Sequence, residues 1–193
     1  MDTSEFWTVI EAARSAVGPD RPFAEALVDE LAARTKDDIL RYQERFDELH
    51  DAVYRWDVWA AAYLIGGGCS DDSFMDFRAG LIALGRDWYE RAAACPDSLA
   101  EHPAVIAAAG AYDDEVVFYE DVNYAASGAF ERVTGGEEDF YDAWDEYAAS
   151  RDRSGQDSVD MVDMGEDFDF DDPDEMRRRL PRLAALHLLD TPH

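Results

Sequence analysis

The chain has 193 residues, 47% of them hydrophobic, which is enough for one domain with a buried core. It carries 17 basic residues against 45 acidic ones, and its formal net charge is -28. A charge of this size repels phosphate, so we expect neither direct nucleic-acid binding nor docking on an anionic membrane. The favoured partner is a basic protein, a cationic small molecule or a metal ion.

The N-terminus and the cysteine content both favour the cytoplasm. The first residues are acidic and lack the basic and apolar regions of a signal peptide. The longest apolar run, residues 58–68, is much shorter than the roughly 20 residues of a membrane span. Cys69 and Cys95 provide neither a disulfide framework nor a paired zinc site. The richness in Ala, Arg, Asp and Gly is a compositional hint of a GC-rich bacterial genome.

The first third of the chain predicts three helices. Thr3 or Ser4 can cap the first, which runs to Gly18, and Pro22 opens the second. The third has the clearest periodicity, with apolar residues at steps of three and four throughout 39–63, so we expect one long central helix there. Its apolar positions are Ile39, Tyr42, Phe46, Leu49, Val53, Trp56, Ala60 and Tyr63.

Glycines mark the ends of the later helices. Residues 66–68 end the central helix, and Ser70 can cap the next one. A longer helix is predicted to begin near Asp113 or Asp114 and to end at Gly135. Nothing in the sequence indicates a strand. The predicted fold is therefore all-α, a compact multi-helix bundle with an acidic, partly flexible C-terminal tail.

The acidic tail begins after residue 150. Residues 156–175 contain ten acidic residues and no basic one, with Phe168 and Phe170 interleaved, which is typical of solvated and flexible chain. A basic, amphipathic helix is expected after it. The chain therefore divides into a helical core domain and an acidic tail that ends in a short amphipathic helix, residues 1–150 and 151–193.

The tail has several interpretations. Asp167, Asp169 and Asp171 match alternating calcium ligands, but Asp172 and Arg178 replace the Gly and Glu that an EF-hand requires, so this motif fails. The tail either is mobile, or docks so that its acids neutralise basic residues, or anchors its two phenylalanines on a partner. Composition favours a mobile or self-docked tail. The basic residues in question are Arg177, Arg178 and Arg179, or Arg34, Lys36 and Arg41.

Motifs around the Gly-rich turn resemble a known family. They read Trp56-Asp57-x-Trp59-x-Ala-Ala-Tyr63-x-Ile65-x-Gly67-Gly68-Cys69-Ser70-Asp71-Asp72 and Phe77-Arg78-x-x-Leu81-Ile82-x-x-Gly85. Tyr124-x-Ala126, Phe130-Glu131 and Thr134-Gly135 fit the same pattern. On these residues the chain resembles the bacterial, actinobacterial-type family labelled domain of unknown function 4240. The resemblance covers most of residues 3–150, but it implies no catalytic residue, because that family has no established activity.

The Gly-rich turn contains the first candidate site. Ser70 can cap the next helix, and the acids that follow, including Asp72, meet its positive end, so a structural role is favoured over phosphate binding. Cys69 is a candidate nucleophile, since a helix N-terminus lowers the pKa of a thiol, but a small buried thiol is favoured. His50 and His102 are the candidate bases outside the tail.

Asp57 and Arg78 form a joint candidate. Each flanks an apolar stripe of one of two successive helices, and packing of these helices would bring the two charges into a partly buried pair. A structural ion pair is the favoured interpretation. The alternative is a ligand pocket walled by Trp56, Trp59 and Tyr63, in which Asp57 is available to a cation.

A polar strip on the later helix is a further candidate. It consists of Glu120, Asn123, Ser127 and Glu131, and it is either a solvated face, which is favoured, or the lining of a cleft. No Glu-x-x-His pair occurs, so a di-iron bundle is not expected. We expect no metal and no cofactor.

Three hypotheses of function follow. The leading one is a non-catalytic interaction or regulatory module with a partner or small-ligand pocket around the Trp56–Arg78 motif. The second is an enzyme of unknown reaction that uses Cys69, Asp57, Asp72 and Arg78. The third is an acidic, immunity-type or DNA-mimicking inhibitor of a basic partner, whose carboxylates imitate phosphates.

Overall fold

The structure is a computed structural model that describes residues 1–109, 116–152 and 163–188. Regular structure within these residues is helical, without a strand, which confirms the expected all-α fold. No helix of the described part is long and apolar enough to cross a membrane. The helices are α1 (Thr3–Ser15), α2 (Phe23–Ala32), α3 (Lys36–Ala52), α4 (Trp56–Gly66), α5 (Asp71–Ala83), α6 (Arg86–Ala94), the 3-10 helix η1 (Pro96–Glu101), α7 (Pro103–Ala107), α8 (Glu120–Asn123), α9 (Ala125–Thr134), α10 (Phe140–Asp152), α11 (Pro173–Arg179) and α12 (Pro181–His187).

The described residues form two compact units. The first contains those of Met1–Leu49 and Asp121–Val162, and the second contains those of His50–Glu120 and Asp163–His193. Each unit therefore combines two separate stretches of the chain. The division of the sequence at residue 150 into a core domain and a tail stays a prediction.

The first unit has α2 packed against both α1 and α9. α1 begins with a capping box, in which the Asp2 carboxylate accepts a hydrogen bond from the Glu5 amide and the Glu5 carboxylate accepts one from the Asp2 amide. The expectation that Thr3 or Ser4 caps this helix is wrong, because only Asp2 has a glutamate three residues later. The largest fully buried side chains of this unit are Tyr42, Phe6, Phe130, Ile10, Leu27, Leu31 and Ile39.

Residues 53–55 separate α3 from α4, so the predicted single central helix is wrong. Arg55 has an extended backbone (φ -140, ψ 151). The Trp56 amide donates a hydrogen bond to the Met164 carbonyl oxygen at 3.0 Å rather than to a carbonyl one turn earlier. Val53 stays buried within the interruption, so the spacing of three and four continues across it and conceals it in the sequence.

α4 and α5 lie at the centre of the second unit. Gly67 ends α4 in the left-handed conformation, with φ 68, which glycine adopts without strain. Ser70 caps α5 by accepting a hydrogen bond from the Ser73 amide at 3.2 Å. The predicted glycine stop and serine cap are confirmed.

Residues 116–119 cross α5 at Gly80 without forming a helix. A Cβ atom at Gly80 would lie 1.7 Å from the Val117 carbonyl oxygen, so the two backbones are in direct contact. Val117 is buried with φ 68, a conformation that a β-branched residue rarely adopts. The Tyr119 amide donates to the Asp76 carbonyl oxygen at 3.2 Å.

The predicted long helix before Gly135 is divided in the structure. Val117 is not helical, and α8 and α9 are separate helices with Tyr124 between them. The prediction of a single helix over this region is therefore wrong. Gly135 ends α9 with φ 67, as predicted, whereas the predicted start at Asp113 or Asp114 lies outside the described residues.

Candidate functional site

A stack of aromatic rings joins α4, α5 and the segment that precedes α4. Trp56 and Trp59 are nearly parallel at 5.4 Å, Trp59 stacks on Phe74 at 4.7 Å, and Phe74 faces Tyr54 at 5.8 Å. These four residues are called the aromatic ladder below. Stacked pairs contribute about 0.5–1.5 kcal/mol each beyond the burial of their area. The ladder therefore holds α4 and α5 together.

Arg78 lies at the Tyr54 end of the ladder. Its guanidinium carbon is 4.6 Å from the centroid of the Tyr54 ring and 5.1 Å from that of Phe74, which are cation–π distances. Only 10% of the side chain is exposed; Nη1 donates to the His50 carbonyl oxygen at 3.2 Å and lies 3.9 Å from an Asp51 carboxylate oxygen. Burial lowers the pKa of Arg78. Arg78 is thus a buried cation held by two rings, a carbonyl and a distant carboxylate.

Asp57 does not pair with Arg78. Its two carboxylate oxygens each accept a hydrogen bond from Arg55, both at 3.0 Å. The extended Arg55 immediately before α4 makes this pair possible, because its side chain can turn back onto the first helical turn. The expected Asp57–Arg78 ion pair is therefore wrong, since each of the two charged side chains has other partners.

Cys69 is half-buried at the end of the Gly-rich turn. Burial raises the pKa of its thiol to about 12, so the thiol is protonated at neutral pH. Within the described residues the sulfur lies near the Ser70 carbonyl oxygen at 3.6 Å, which is an acceptor rather than a base. Burial, and then the charge of Arg78, lower the pKa of His50 to about 4. The remaining catalytic candidate, Asp72, is exposed in the first turn of α5.

The two cysteines are expected to differ in reactivity. Cys95 is exposed and Cys69 is half-buried with a raised pKa, so iodoacetamide should alkylate Cys95 at least about tenfold faster than Cys69 in the folded protein near pH 7.5. Peptide mass spectrometry over a time course measures both rates, and the rates should converge in concentrated urea. Faster alkylation of Cys69 than of Cys95 in the folded protein would contradict the structural role and support a nucleophile.

An acidic segment without regular secondary structure covers the outer face of α4. This segment, residues 163–171, is called the acidic strap. The centroid of the Phe170 ring lies 6.1 Å from that of Trp56, 6.5 Å from that of Trp59 and 5.6 Å from that of Tyr63. The Tyr63 hydroxyl donates a hydrogen bond to the Asp171 carboxylate, and this bond raises the pKa of Tyr63. The predicted ligand face of Trp56, Trp59 and Tyr63 is therefore occupied by the protein itself.

Phe168 secures the other part of the strap. Its ring packs edge-to-face on Phe170 at 5.1 Å, and the Arg179 guanidinium of α11 lies over it at 4.2 Å. Arg179 also pairs with Glu166 of the strap at 3.1 Å. The strap thus combines an aromatic contact with a cationic one, and the sequence signal for it was the pair of phenylalanines among the acids.

The predicted polar strip is not continuous. Glu120 and Asn123 belong to the short α8, Glu120 in the second unit and Asn123 in the first, whereas Ser127 and Glu131 lie on α9. Glu120 is exposed and Asn123 is half-buried. Ser127 and Glu131 lie side by side and help to line a cavity of the first unit.

This cavity, of about 440 Å³, lies between α9 and the start of α10. Its full lining is Tyr124, Ser127, Gly128, Glu131, Gly136, Glu138, Asp139, Phe140 and Tyr141. Tyr124 and Tyr141 are 49% and 57% exposed, so two rings stand at its rim. We call it the tyrosine-rimmed cavity. Sequence reasoning did not identify Glu138, Asp139 and Tyr141; the available signal was the acidic run directly after a helix-ending Gly pair.

The carboxylates that line the cavity differ in their interactions. Asp139 accepts hydrogen bonds from the amides of Tyr141 and Asp142 at 2.8 and 3.1 Å, which holds the start of α10. Glu138 pairs with Lys36 at 2.8 Å. Glu131 is exposed and forms no ion pair with a described residue. Among the residues that the structure describes, His, Cys, Asp and Glu form no group of three or more that could hold a metal ion.

Neither a curated protein nor a solved structure matches the chain. A family model, described as a protein of unknown function (DUF4240), matches residues 1–132. The matched region includes the aromatic ladder, Arg78, the Gly-rich turn and the α9 side of the tyrosine-rimmed cavity. Because the match covers more than half of the chain, the protein belongs to the DUF4240 family.

Proposed function

We propose that the protein is a non-catalytic interaction module that binds a cationic group of a basic partner. The observation that carries this proposal is the tyrosine-rimmed cavity of the first unit, which combines exposed rings with carboxylates. The net charge of -28 supports it, because an acidic field attracts a basic partner and repels nucleic acid.

The size and rim of the cavity suit a lysine or arginine side chain. Its volume of about 440 Å³ falls within the range of pockets that bind small ligands. The exposed faces of Tyr124 and Tyr141 are accessible to a cation, and a cation over an exposed ring gains about 0.5–1 kcal/mol. Glu131 supplies a carboxylate for the same ligand, since Glu138 is paired with Lys36 and Asp139 is engaged by backbone amides.

The environments of three candidate catalytic residues weigh against a catalytic role for them. The raised pKa of Cys69 leaves its thiol protonated, Asp57 is engaged by Arg55, and Arg78 is buried. We place the function in the cytoplasm, because both cysteines are free thiols and one of them is exposed, which fits a reducing compartment.

A labelled octa-arginine peptide tests this proposal. We expect it to bind the full chain, and replacing Glu131→Gln together with Tyr141→Ala should weaken the affinity by about tenfold or more, since both a carboxylate and a ring are lost. The matched control, Glu25→Gln with Tyr119→Ala, removes the same charge and an exposed tyrosine outside the cavity. The control should stay within about twofold of the unmodified chain.

Fluorescence anisotropy at several salt concentrations measures these affinities. Equal weakening in the two double variants would mean that the acidic surface as a whole, and not the cavity, attracts the peptide. No binding by the unmodified chain at low ionic strength would overturn a cationic partner altogether.

A further inference from the structure

We infer that the outer face of α4, formed by Trp56, Trp59 and Tyr63, is a groove for a peptide segment in which aromatic and acidic residues alternate. The acidic strap fills this groove as a built-in ligand, and a partner segment of the same chemistry competes with it. This inference concerns the second unit and does not depend on the tyrosine-rimmed cavity.

The strap makes the contacts of a bound peptide. One main-chain hydrogen bond, from the Trp56 amide to the Met164 carbonyl oxygen at 3.0 Å, fixes its start. One side-chain hydrogen bond, from the Tyr63 hydroxyl to Asp171, fixes its end. Between them the Phe170 ring rests on the aromatic face.

The burial of the strap residues alternates along its second half. The strap is not a regular strand, because residues 170 and 171 form a turn in which the Asp171 amide donates to the Asp169 carboxylate at 2.9 Å. Phe168 and Phe170 are half-buried against the protein, whereas Asp167 and Asp169 are exposed. Phe170 contacts the rings of the groove, whereas Phe168 packs on Phe170 and under Arg179. The site therefore takes two aromatic residues separated by one acid, with the acids left in solvent.

Arg179 makes the groove suitable for an acidic ligand. Its guanidinium lies 4.2 Å above the Phe168 ring and pairs with two carboxylates, Glu175 of α11 at 2.8 Å and Glu166 of the strap at 3.1 Å. A cation at this position attracts a carboxylate that precedes the aromatic pair, despite the acidic character of the chain as a whole. The preferred ligand is therefore an acidic, diaromatic peptide rather than an apolar one.

The strap is separable from the fold that carries the groove. Trp56, Trp59 and Tyr63 lie within the family-matched region 1–132, whereas Arg179 and the strap lie outside it. No residue of the strap is fully buried. By contrast, the inner side of α4 is fully buried at Val58, Ala61 and Ile65. Releasing the strap therefore uncovers the outer aromatic face and leaves the apolar interior of the unit intact.

A peptide with the sequence of residues 163–171, added in trans, tests the inference. The full chain with Phe168→Ala and Phe170→Ala is the opened variant, because the strap loses both of its aromatic anchors. The labelled peptide should bind the opened variant at least about tenfold more tightly than the unmodified chain, where a tethered strap competes at an effective concentration of about millimolar. Anisotropy measures the affinity, and a thermal melt checks that the opened variant is folded.

Two matched substitutions in the opened variant locate the peptide. Trp56→Ala removes part of the groove and should reduce the affinity by about tenfold or more, as expected for a central aromatic contact. Trp144→Ala removes a half-exposed tryptophan of the first unit and should leave the affinity within about twofold. A peptide with both phenylalanines replaced by alanine should bind neither variant.

Three results would overturn the inference. The first is equal affinity of the peptide for the unmodified chain and the opened variant, which would place its site elsewhere. The second is the absence of binding to a folded opened variant. The third is loss of cooperative unfolding in the opened variant, which would make the strap an integral part of the core.

Discussion

Gly80→Ala is expected to lower the free energy of unfolding by about 3 kcal/mol or more, at the upper end of what overpacking costs. The added Cβ would lie 1.7 Å from the Val117 carbonyl oxygen and 2.6 Å from its carbonyl carbon. The added Cβ clashes with backbone atoms, so no side-chain rotation relieves the clash. Val117 already has φ 68 and is buried, which leaves residues 116–119 little freedom to move away.

Gly128→Ala is the matched control, because this glycine also lies inside a helix. A Cβ at Gly128 would meet the Val28 side chain at 3.7 Å, an ordinary van der Waals contact. Alanine is the better helix former, so this substitution should raise the free energy of unfolding by about 0.5–1 kcal/mol. Urea titration followed by circular dichroism measures both changes. Similar effects of the two substitutions would contradict the close backbone contact at Gly80.

The helices were predictable wherever a local signal marked their ends. Gly67, Gly135 and the Ser70 cap act through the conformation of one or two residues, which the sequence specifies directly. The interruption at residues 53–55 has no such signal. It contains neither glycine nor proline, and the Trp56 amide that follows it donates to the carbonyl oxygen of Met164, a residue more than one hundred positions later.

The composition of the candidate site was predicted better than its geometry. Trp56, Trp59 and Arg78 do contribute to one structure, because apolar stripes on successive helices pack together. The expected Asp57–Arg78 pair failed because a charge at the edge of a stripe takes the nearest partner. For Asp57 this partner is Arg55, which the interruption before α4 places within reach.

The strap agrees with the self-docked alternative for the tail, which composition could not distinguish from a mobile one. Ten acids in twenty residues indicate a solvated chain, since average hydrophobicity is low. Docking of the segment depends instead on single side chains: Phe170 contacts the rings of α4, and Phe168 packs on Phe170 and under Arg179. The pair of aromatic residues within an acidic run is therefore the more informative pattern here.

Asp97→Ala is expected to lower the free energy of unfolding of the second unit by about 3–4 kcal/mol, the cost of removing one partner from a buried, charge-assisted network. The Asp97 side chain is 8% exposed. Its carboxylate accepts hydrogen bonds from the backbone amides of Arg182 at 3.0 Å and Leu183 at 2.9 Å, and from Arg182 Nε at 3.0 Å. Leu180, the residue that precedes α12, offers no side-chain cap. Asp97 of η1 thus caps α12 from a distant part of the sequence.

Arg182→Ala separates the cap from the ion pair. The Arg182 side chain is 45% exposed, so its loss should cost no more than about 1 kcal/mol, while the backbone amides of α12 keep their acceptor. Hydrogen exchange of the backbone amides of residues 182 and 183 gives a local measurement. The exchange rates of both amides should rise strongly in Asp97→Ala and stay nearly unchanged in Arg182→Ala. If Arg182→Ala proved as destabilising as Asp97→Ala, the side-chain ion pair would be the main contribution. The docking of α12 on α4 and η1 would then depend on surface charge instead of on a buried helix cap, and moderate salt would loosen it.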